Sequence, residues 1–436
     1  MSSGGATGRD GGRIEVVPAG PTRGRVTAPG SKSHTNRALV LAGLAKGTSF
    51  LERPLVADDV AHMASGLTAL GARVEATEEG FEVYGGNGQL TRSAVTVDAG
   101  LSGTTLRFLT AAATLAGAPV TITGWPPLLR RPLRPLLEAL AVLGCRVEGG
   151  EGAPVVIRPG HPRGGRVTVD ASTSSQFVTA LLLVGPFCES DLVVVADGLG
   201  AAGYVSMTVD ALRRFGALVE AEPDAIRVRA GTGCQARTER IAGDASAAAH
   251  LFGLAAATGG RLTVTNLALA HDQPDWSILG LLEQMGIAVT VGDAGDAVTV
   301  TAPEQLAPLV ADLSASPDLL PTLAALAALA PGRTTLTGLS ITRHHETDRV
   351  AAVATELDRL GVPTSTGPDR ITIEGGRPQG PALIRTYQDH RMAMAFAALA
   401  ARVPGITIDD PGCASKTYPN FWTDAVEAGL RVRRVD

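Results

Sequence analysis

The sequence predicts an α/β fold of two similar domains, each built from three repeats. Its 436 residues exceed one ordinary compact domain and suffice for two cores. Hydrophobic residues make up 45% and charged residues 19%, the profile of a folded globular chain. The third observation is a repeat. A helix-like segment ending in an apolar residue and Gly, followed by strand-like alternation, returns six times, with its glycines at Gly71, Gly144, Gly216, Gly286, Gly361 and Gly429. The successive spacings are 73, 72, 70, 75 and 68 residues.

In chain order the repeats read LTALGARVEA, LEALAVLGCRVEG, VDALRRFGALVEA, LLEQMGIAVTV, TELDRLGVPTS and AVEAGLRVRRV. In each, Gly behind an apolar helical face predicts a helix C-terminus closed by a left-handed residue, and the Val-rich alternation predicts a strand packed on one side. Units this long hold several strands and helices each, which suits two compact domains of three units better than a short-period solenoid. The division is placed at Ala242–Asp244. The Gly- and Pro-rich stretches at Gly85–Gly88, Gly149–Gly152, Gly160–Gly165 and Gly375–Pro381 read as turns, since none carries a Walker or dinucleotide pattern.

Composition excludes several classes. The longest apolar stretches, Leu109–Ile122 and Leu319–Ala330, fall short of the roughly 20 residues of a membrane span. Met1–Arg13 has no apolar stretch of the secretory kind and reads as a flexible tail, so a cytoplasmic location is expected. Cys145, Cys188, Cys234 and Cys413 show neither a disulfide framework nor metal spacing, and no metal is expected. A net charge of -5 without a dense basic run argues against nucleic acid and for positive charge focused in a cleft. Among 38 basic residues only Lys32, Lys46 and Lys416 are lysine. A Lys kept in a chain that otherwise writes Arg marks either a place that needs a compact, titratable ammonium or a lysine that survives by chance.

The segment PGSKSHTNR, Pro29–Arg37, sets Lys32, Ser33 and Arg37 at the start of an apolar helical run. A helix N-terminus carrying Ser, Lys and Arg reads either as an anion site, where free backbone N–H groups and the helix dipole add to the side-chain charge, or as a plain Ser N-cap with solvated cations. From here motifs follow in order: GLSGTTLRF (Gly100–Phe108), RRP (Arg130–Pro132), STSSQFVTALL (Ser172–Leu182), GDASAAAH (Gly243–His250), PDLLPT (Pro317–Thr322), RHHETDR (Arg343–Arg349), YQDHRMAMAF (Tyr387–Phe396) and CASKTYP (Cys413–Pro419). Together they resemble the enolpyruvyl transferase family, in particular its members that act on shikimate 3-phosphate.

The resemblance implies an inside-out α/β barrel in each domain: three βαβαββ units with helices inside a ring of sheets, and the active site in the interdomain cleft. After the tail, residues 28–243 form one domain, and residues 14–27 with 244–436 the other. Asp244 then lies near one of two crossover strands forming the hinge. The implied reaction transfers the enolpyruvyl group of phosphoenolpyruvate to the 5-hydroxyl of shikimate 3-phosphate and releases phosphate, on the route to chorismate and aromatic amino acids. It runs by addition and elimination, needs no cofactor, and is the target of glyphosate. A monomer is expected.

By the same resemblance, phosphoenolpyruvate is held by Lys32, Gly103, Thr104, Arg131, Gln176, Arg349, Arg391 and Lys416, with Arg107 nearby. The acceptor is held by Lys32, Ser33, Arg37, Ser174, Ser175, Gln176, Asp318 and His345. Lys32, Asp318, Glu346 and His390 carry the proton transfers. Four positions depart from the family's pattern: Ala201 stands where many relatives have Ser, Ile341 where many have Asn or His, His345 where many have Lys, and Leu101 where Asn is frequent. Ala201 and Ile341 favour the alternative reading, a transferase of the same fold acting on another acceptor alcohol such as a nucleotide or a specialised metabolite. Because cations shared across a cleft repel until anions arrive, and closure excludes water, the domains are expected to close over the ligands.

Overall fold

A computed structural model describes residues 12–435 apart from 223 and 271–272. Of the tail expected over Met1–Arg13, residues 1–11 lie outside the described residues. Arg13 is not tail, since it pairs in a sheet with Asp409 and Val435.

Nine helices position the cleft: α1 (Lys32–Leu44), α2 (Asp58–Ala69), α3 (Gly103–Ala112), α4 (Gln176–Val184), α5 (Gly203–Arg214), α6 (Ala245–Thr258), α7 (Leu320–Leu329), α8 (Arg349–Arg359) and α9 (His390–Ala400). Six of them, α1, α3, α4, α6, α7 and α9, are buried around nearly their whole circumference. Helices rich in Ala and Leu on every side have no polar face to give to water, so they become the core and the sheets become the outside. Two apolar cores result. One draws on residues from Ala38 to Ile241, the other on Ile14–Ala28 together with Ala247–Leu430.

Among the described residues, six four-stranded sheets surround these helices, one per repeat. In the third repeat Gly165–Asp170 runs parallel to Leu192–Asp197 through the α4 crossover, and Ile226–Val228 and Val219–Ala221 add antiparallel strands. This is a βαβαββ unit, and the second and fifth repeats match it. The other three borrow strands from distant sequence. Thr238–Arg240 pairs with Lys46–Glu52, Arg23–Thr27 with Arg261–Thr265, and Arg13–Val17 with Ile406–Asp409. The inside-out barrel expectation therefore holds.

The six repeat glycines all have positive φ, from 71° to 108°. After each, the next residue's N–H bonds back across the last helical turn, as in Ala72 N to Leu67 O and Val362 N to Leu357 O, both 3.0 Å. Each is a Schellman ending, with the residue after Gly buried as its apolar plug.

The chain passes between the cores twice, at residues 28–31 and 241–244. The two passages are tied by Ser31 N to Ala242 O and Asp244 N to Pro29 O, both 2.8 Å. Gly30 is required here, because a Cβ would lie 2.4 Å from the Arg53 carbonyl oxygen. Asp244 caps α6 through Ala247 N at 2.9 Å, and its other oxygen accepts from Lys32 N at 2.9 Å. One carboxylate thus serves the first turns of two helices from different cores.

Candidate active site

Helix starts converge on one cleft between the cores. Lys32, Gly103, Gln176, Arg349 and His390 each open a helix, and all line it. Ser31, Ser102, Asp348 and Asp389 cap four of these five helices, all but the one opening at Gln176, and fix their first turns. Convergent N-termini add partial positive charge to a cleft already lined by Lys32, Arg37, Arg131, Arg349 and Arg391. Such a cleft suits a compact polyanion, which fixed dipoles would stabilise as well as side chains.

The cations do not face one another bare. Arg349 gives Nε to Asp389 Oδ2 at 2.7 Å, Nη1 to Asp318 Oδ1 at 2.6 Å and Nη2 to Glu346 Oε2 at 2.8 Å. Arg391 donates to Asp318 Oδ2 at 2.8 Å. Lys416 Nζ is 2.5 Å from Glu346 Oε1 and 3.9 Å from Asp59, which also lies 3.5 Å from Lys32 Nζ. Arg131 lies 3.8 Å from Glu346. Carboxylates supply the counter-charge, and the Arg131–Glu346 and Lys416–Asp59 contacts bridge the two cores, as does Ser415 Oγ to Asp58 at 2.8 Å.

Charge pairing sets the proton affinities. Burial alone would raise Glu346, but Lys416, Arg131 and Arg349 hold it well below the usual carboxylate range. Asp318 is likewise held low against burial by Arg391 and Arg349. Burial, then the neighbouring Arg349, lowers His345 to about 3, so it is neutral and its Nδ1 accepts from Arg349 Nη1 at 3.0 Å. His390 is pushed well below the ordinary range by burial, Arg391 and Lys416. Its ring nitrogens have no hydrogen-bond partner among the described residues, although Nδ1 is 3.7 Å from Asp389.

The structure brings nearly every expected residue to this cleft: Lys32, Ser33, Arg37, Gly103, Thr104, Arg131, Ser174, Ser175, Gln176, Asp318, His345, Glu346, Arg349, His390 and Arg391. Lys416 lines an adjoining cavity with Arg131 and Glu346 instead, reaching the cleft through its bond to Glu346. Arg107 stands behind, donating to Gln176 Oε1 at 2.7 Å, and burial brings it down to about 9. Gln176 in turn lies 3.5 Å from Thr104 Oγ1. Arg37 is buried and brought down to about 10, still a cation at neutral pH. Much of its hydrogen bonding goes to the Tyr204 and Ser33 carbonyls, Thr208 and Thr179.

Of the departures, Ala201 and Ile341 line the cleft with apolar surface. Leu101 lines neighbouring cavities with Tyr387 and Gln388. Sequence reasoning missed Asp59, Asp389, Tyr204 and Asp275. Asp389 stood inside a quoted motif, whereas Tyr204 and Asp275 carry no local signal and meet only through the fold, at 2.9 Å.

Residues 16–424 match the family described as EPSP synthase (3-phosphoshikimate 1-carboxyvinyltransferase). A protein of Methanoculleus marisnigri named 3-phosphoshikimate 1-carboxyvinyltransferase is 41% identical over 96% of this chain and 99% of its own length. One of the same name from Nostoc punctiforme is 38% identical over 92% of this chain and 96% of its own. Among solved structures, an EPSP synthase from Acinetobacter baumannii shares the fold with TM-score 0.83 at 24% identity, covering 98% of this chain and 100% of that one. The enolpyruvyl transferase NikO from Streptomyces tendae shares it with TM-score 0.78 at 20% identity, covering 98% and 99%. Among the described residues, no helix is long and apolar enough to cross a membrane.

Proposed function

The chain belongs to the EPSP synthase (3-phosphoshikimate 1-carboxyvinyltransferase) family, and from that membership we propose that it transfers the enolpyruvyl group of phosphoenolpyruvate to the 5-hydroxyl of shikimate 3-phosphate. The observation that carries this reading is the meeting of Lys32, Arg131, Arg349, Arg391 and Glu346 with Asp318 in one cleft between two cores, with Lys416 bonded to Glu346 from the adjoining cavity. A donor with a phosphate and a carboxylate on three carbons needs several cations in fixed geometry.

In this proposal Lys32, Arg131, Arg349, Arg391, Lys416, Gln176 and the α3 start at Gly103–Thr104 hold phosphoenolpyruvate. Ser33, Arg37, Ser174, Ser175 and Gln176 hold the acceptor, with His345 beside them. Asp318 takes the acceptor's hydroxyl proton as its oxygen bonds to C2, while C3 gains a proton from Lys32. In the second half the C2–O bond to phosphate breaks and Glu346 takes a proton from C3, restoring the double bond. Ionised Glu346 suits that second role. Neutral His390, buried within electrostatic reach of Arg391, Lys416 and Glu346, supports the exchange without adding a further cation.

We assign the two halves, residues 28–243 and residues 14–27 with 244–436, as the domains that open and close around the ligands. A monomer acting in the cytoplasm fits four buried cysteines held as thiols. Apolar Ala201 and Ile341 and neutral His345 on the acceptor side favour a second reading, in which another alcohol accepts the group. Competition separates the two. Offered equal amounts of shikimate 3-phosphate and a nucleotide alcohol with phosphoenolpyruvate, the enzyme should yield only the carboxyvinyl ether of shikimate 3-phosphate by mass spectrometry. Modification of the nucleotide alone would establish the second reading.

A further inference from the structure

Tyr204, at the start of α5 in the first core, reaches two carboxylates of the second. Its hydroxyl lies 2.9 Å from Asp275 Oδ2 and 3.5 Å from Asp318 Oδ2. A phenol has one hydrogen to give, and the shorter contact takes it. Asp275 is 3% exposed, on the turn Pro274–Ser277, and the same oxygen accepts the Ser246 hydroxyl. Its Oδ1 is buried with no hydrogen-bond partner among the described residues. Asp275 is thus a buried carboxylate whose described hydrogen bonds come from two hydroxyls, a costly arrangement for structure alone.

We propose that Asp275 is a positioning residue for proton transfer: by holding the Tyr204 hydrogen, it leaves Oδ2 of Asp318 open to receive the proton of the acceptor alcohol. Arg349 occupies Asp318 Oδ1 and Arg391 one direction of Oδ2, so a second hydrogen on Oδ2 would block the base. When Asp275 binds a proton, its own O–H donates to the Tyr204 oxygen. The Tyr204 hydrogen then turns to Asp318 and caps it. Among the described residues, the charged and titratable groups facing Asp275 are Tyr204, Asp318 and Arg391. Burial first, then the Asp318 charge, raise Asp275 to about 6 against the pull of Arg391, which puts this switch at an accessible pH.

This inference rests on the proposed reaction, and one set of measurements tests both. The turnover of wild type, Asp275→Asn, Tyr204→Phe and the double variant is followed against pH with phosphoenolpyruvate and shikimate 3-phosphate. The Asn variant mimics the protonated state, so its kcat should fall about tenfold to a hundredfold, within the range a general base contributes. Its acid limb near pH 6 should vanish, and KM for phosphoenolpyruvate should stay within about twofold, because no proposed donor ligand touches Asp275. Tyr204→Phe removes the competing hydrogen, so adding Asp275→Asn to it should cost little further.

Thermal unfolding at pH 8 supplies a readout that a structural role would move the other way. Replacing a buried carboxylate by a neutral isostere should raise the midpoint by a few degrees. An acid limb retained in Asp275→Asn, a full Asp275→Asn penalty in the Tyr204→Phe background, or a lowered midpoint would each overturn the proposal. A wild type without turnover would instead overturn the functional reading on which it rests.

Discussion

At Gly103 a single hydrogen is what lets Arg131 approach. A Cβ built there would sit 2.5 Å from Arg131 Nη1 and 3.1 Å from Arg107 Nη1, and both side chains are largely buried. Gly103→Ala must therefore displace the Arg131 fork. Losing one charge-assisted hydrogen bond, about 1.5–3 kcal/mol, should raise KM for phosphoenolpyruvate about tenfold or more and weaken glyphosate inhibition in parallel. An unchanged KM would mean that Arg131 does not hold the donor. Asp318→Asn should leave the fold intact and lower kcat by roughly a hundredfold or more, the share of a general base, as steady-state kinetics will show. Lys32, Arg131 and Glu346 were legible because each stands in one of nine motifs that follow in the family's order, although any one of those strings alone says little. Tyr204 and Asp275 were not, since a lone Tyr in GAAGY and a lone Asp in QPDW mean nothing until the fold sets them together.

Elements were legible where a local rule fixes them. All six repeat glycines are left-handed helix endings, because the backbone conformation itself demands Gly and the demand recurs at nearly constant spacing. Strand borrowing was not legible from the residues alone. Nothing in RGRVT says that it pairs with Arg261–Thr265, more than 230 residues away, since pairing depends on register and not on composition. Asp244 joins the two levels as a cap for α6 and a partner for the first turn of α1. Asp244→Ala should cost about 1–2 kcal/mol, the value of a lost N-cap, and more than Asp348→Ala, which caps one helix. Urea unfolding of the two variants checks the order, and equal losses would show that the Lys32 N contact contributes nothing.

For the whole molecule, buried histidines set the acid response. Burial, first of all, holds His250, His345 and His390 below their ordinary value. Below about pH 6.5 the unfolded chain binds protons on these residues that the folded chain refuses, so stability is full above that pH and falls as the pH drops. Asp275 works in the opposite direction between about 6 and 4, because the folded chain protonates it first. Three groups outweigh one, and the thermal midpoint should fall steadily from pH 7 to pH 5. A flat or rising midpoint would contradict the neutral, buried assignment of the histidines. Glu346 and Asp318 add a further loss only below the usual carboxylate range, near pH 4.

The sequence overlooked that the cleft carries its own counter-charges, because Asp59 and Asp389 read as ordinary solvated acids until the fold buries them beside Lys32 and Arg349. In the proposed reading, ligand anions compete with these carboxylates for Arg349, Arg391 and Lys416. The most direct test is turnover of the purified protein with phosphoenolpyruvate and shikimate 3-phosphate, following phosphate release and acceptor mass together. Release of one phosphate per carboxyvinyl group gained, at an ordinary enzymatic rate of roughly 1–100 per second, is the predicted result. Binding of phosphoenolpyruvate with no modification of shikimate 3-phosphate would contradict it and assign the cleft to a different alcohol.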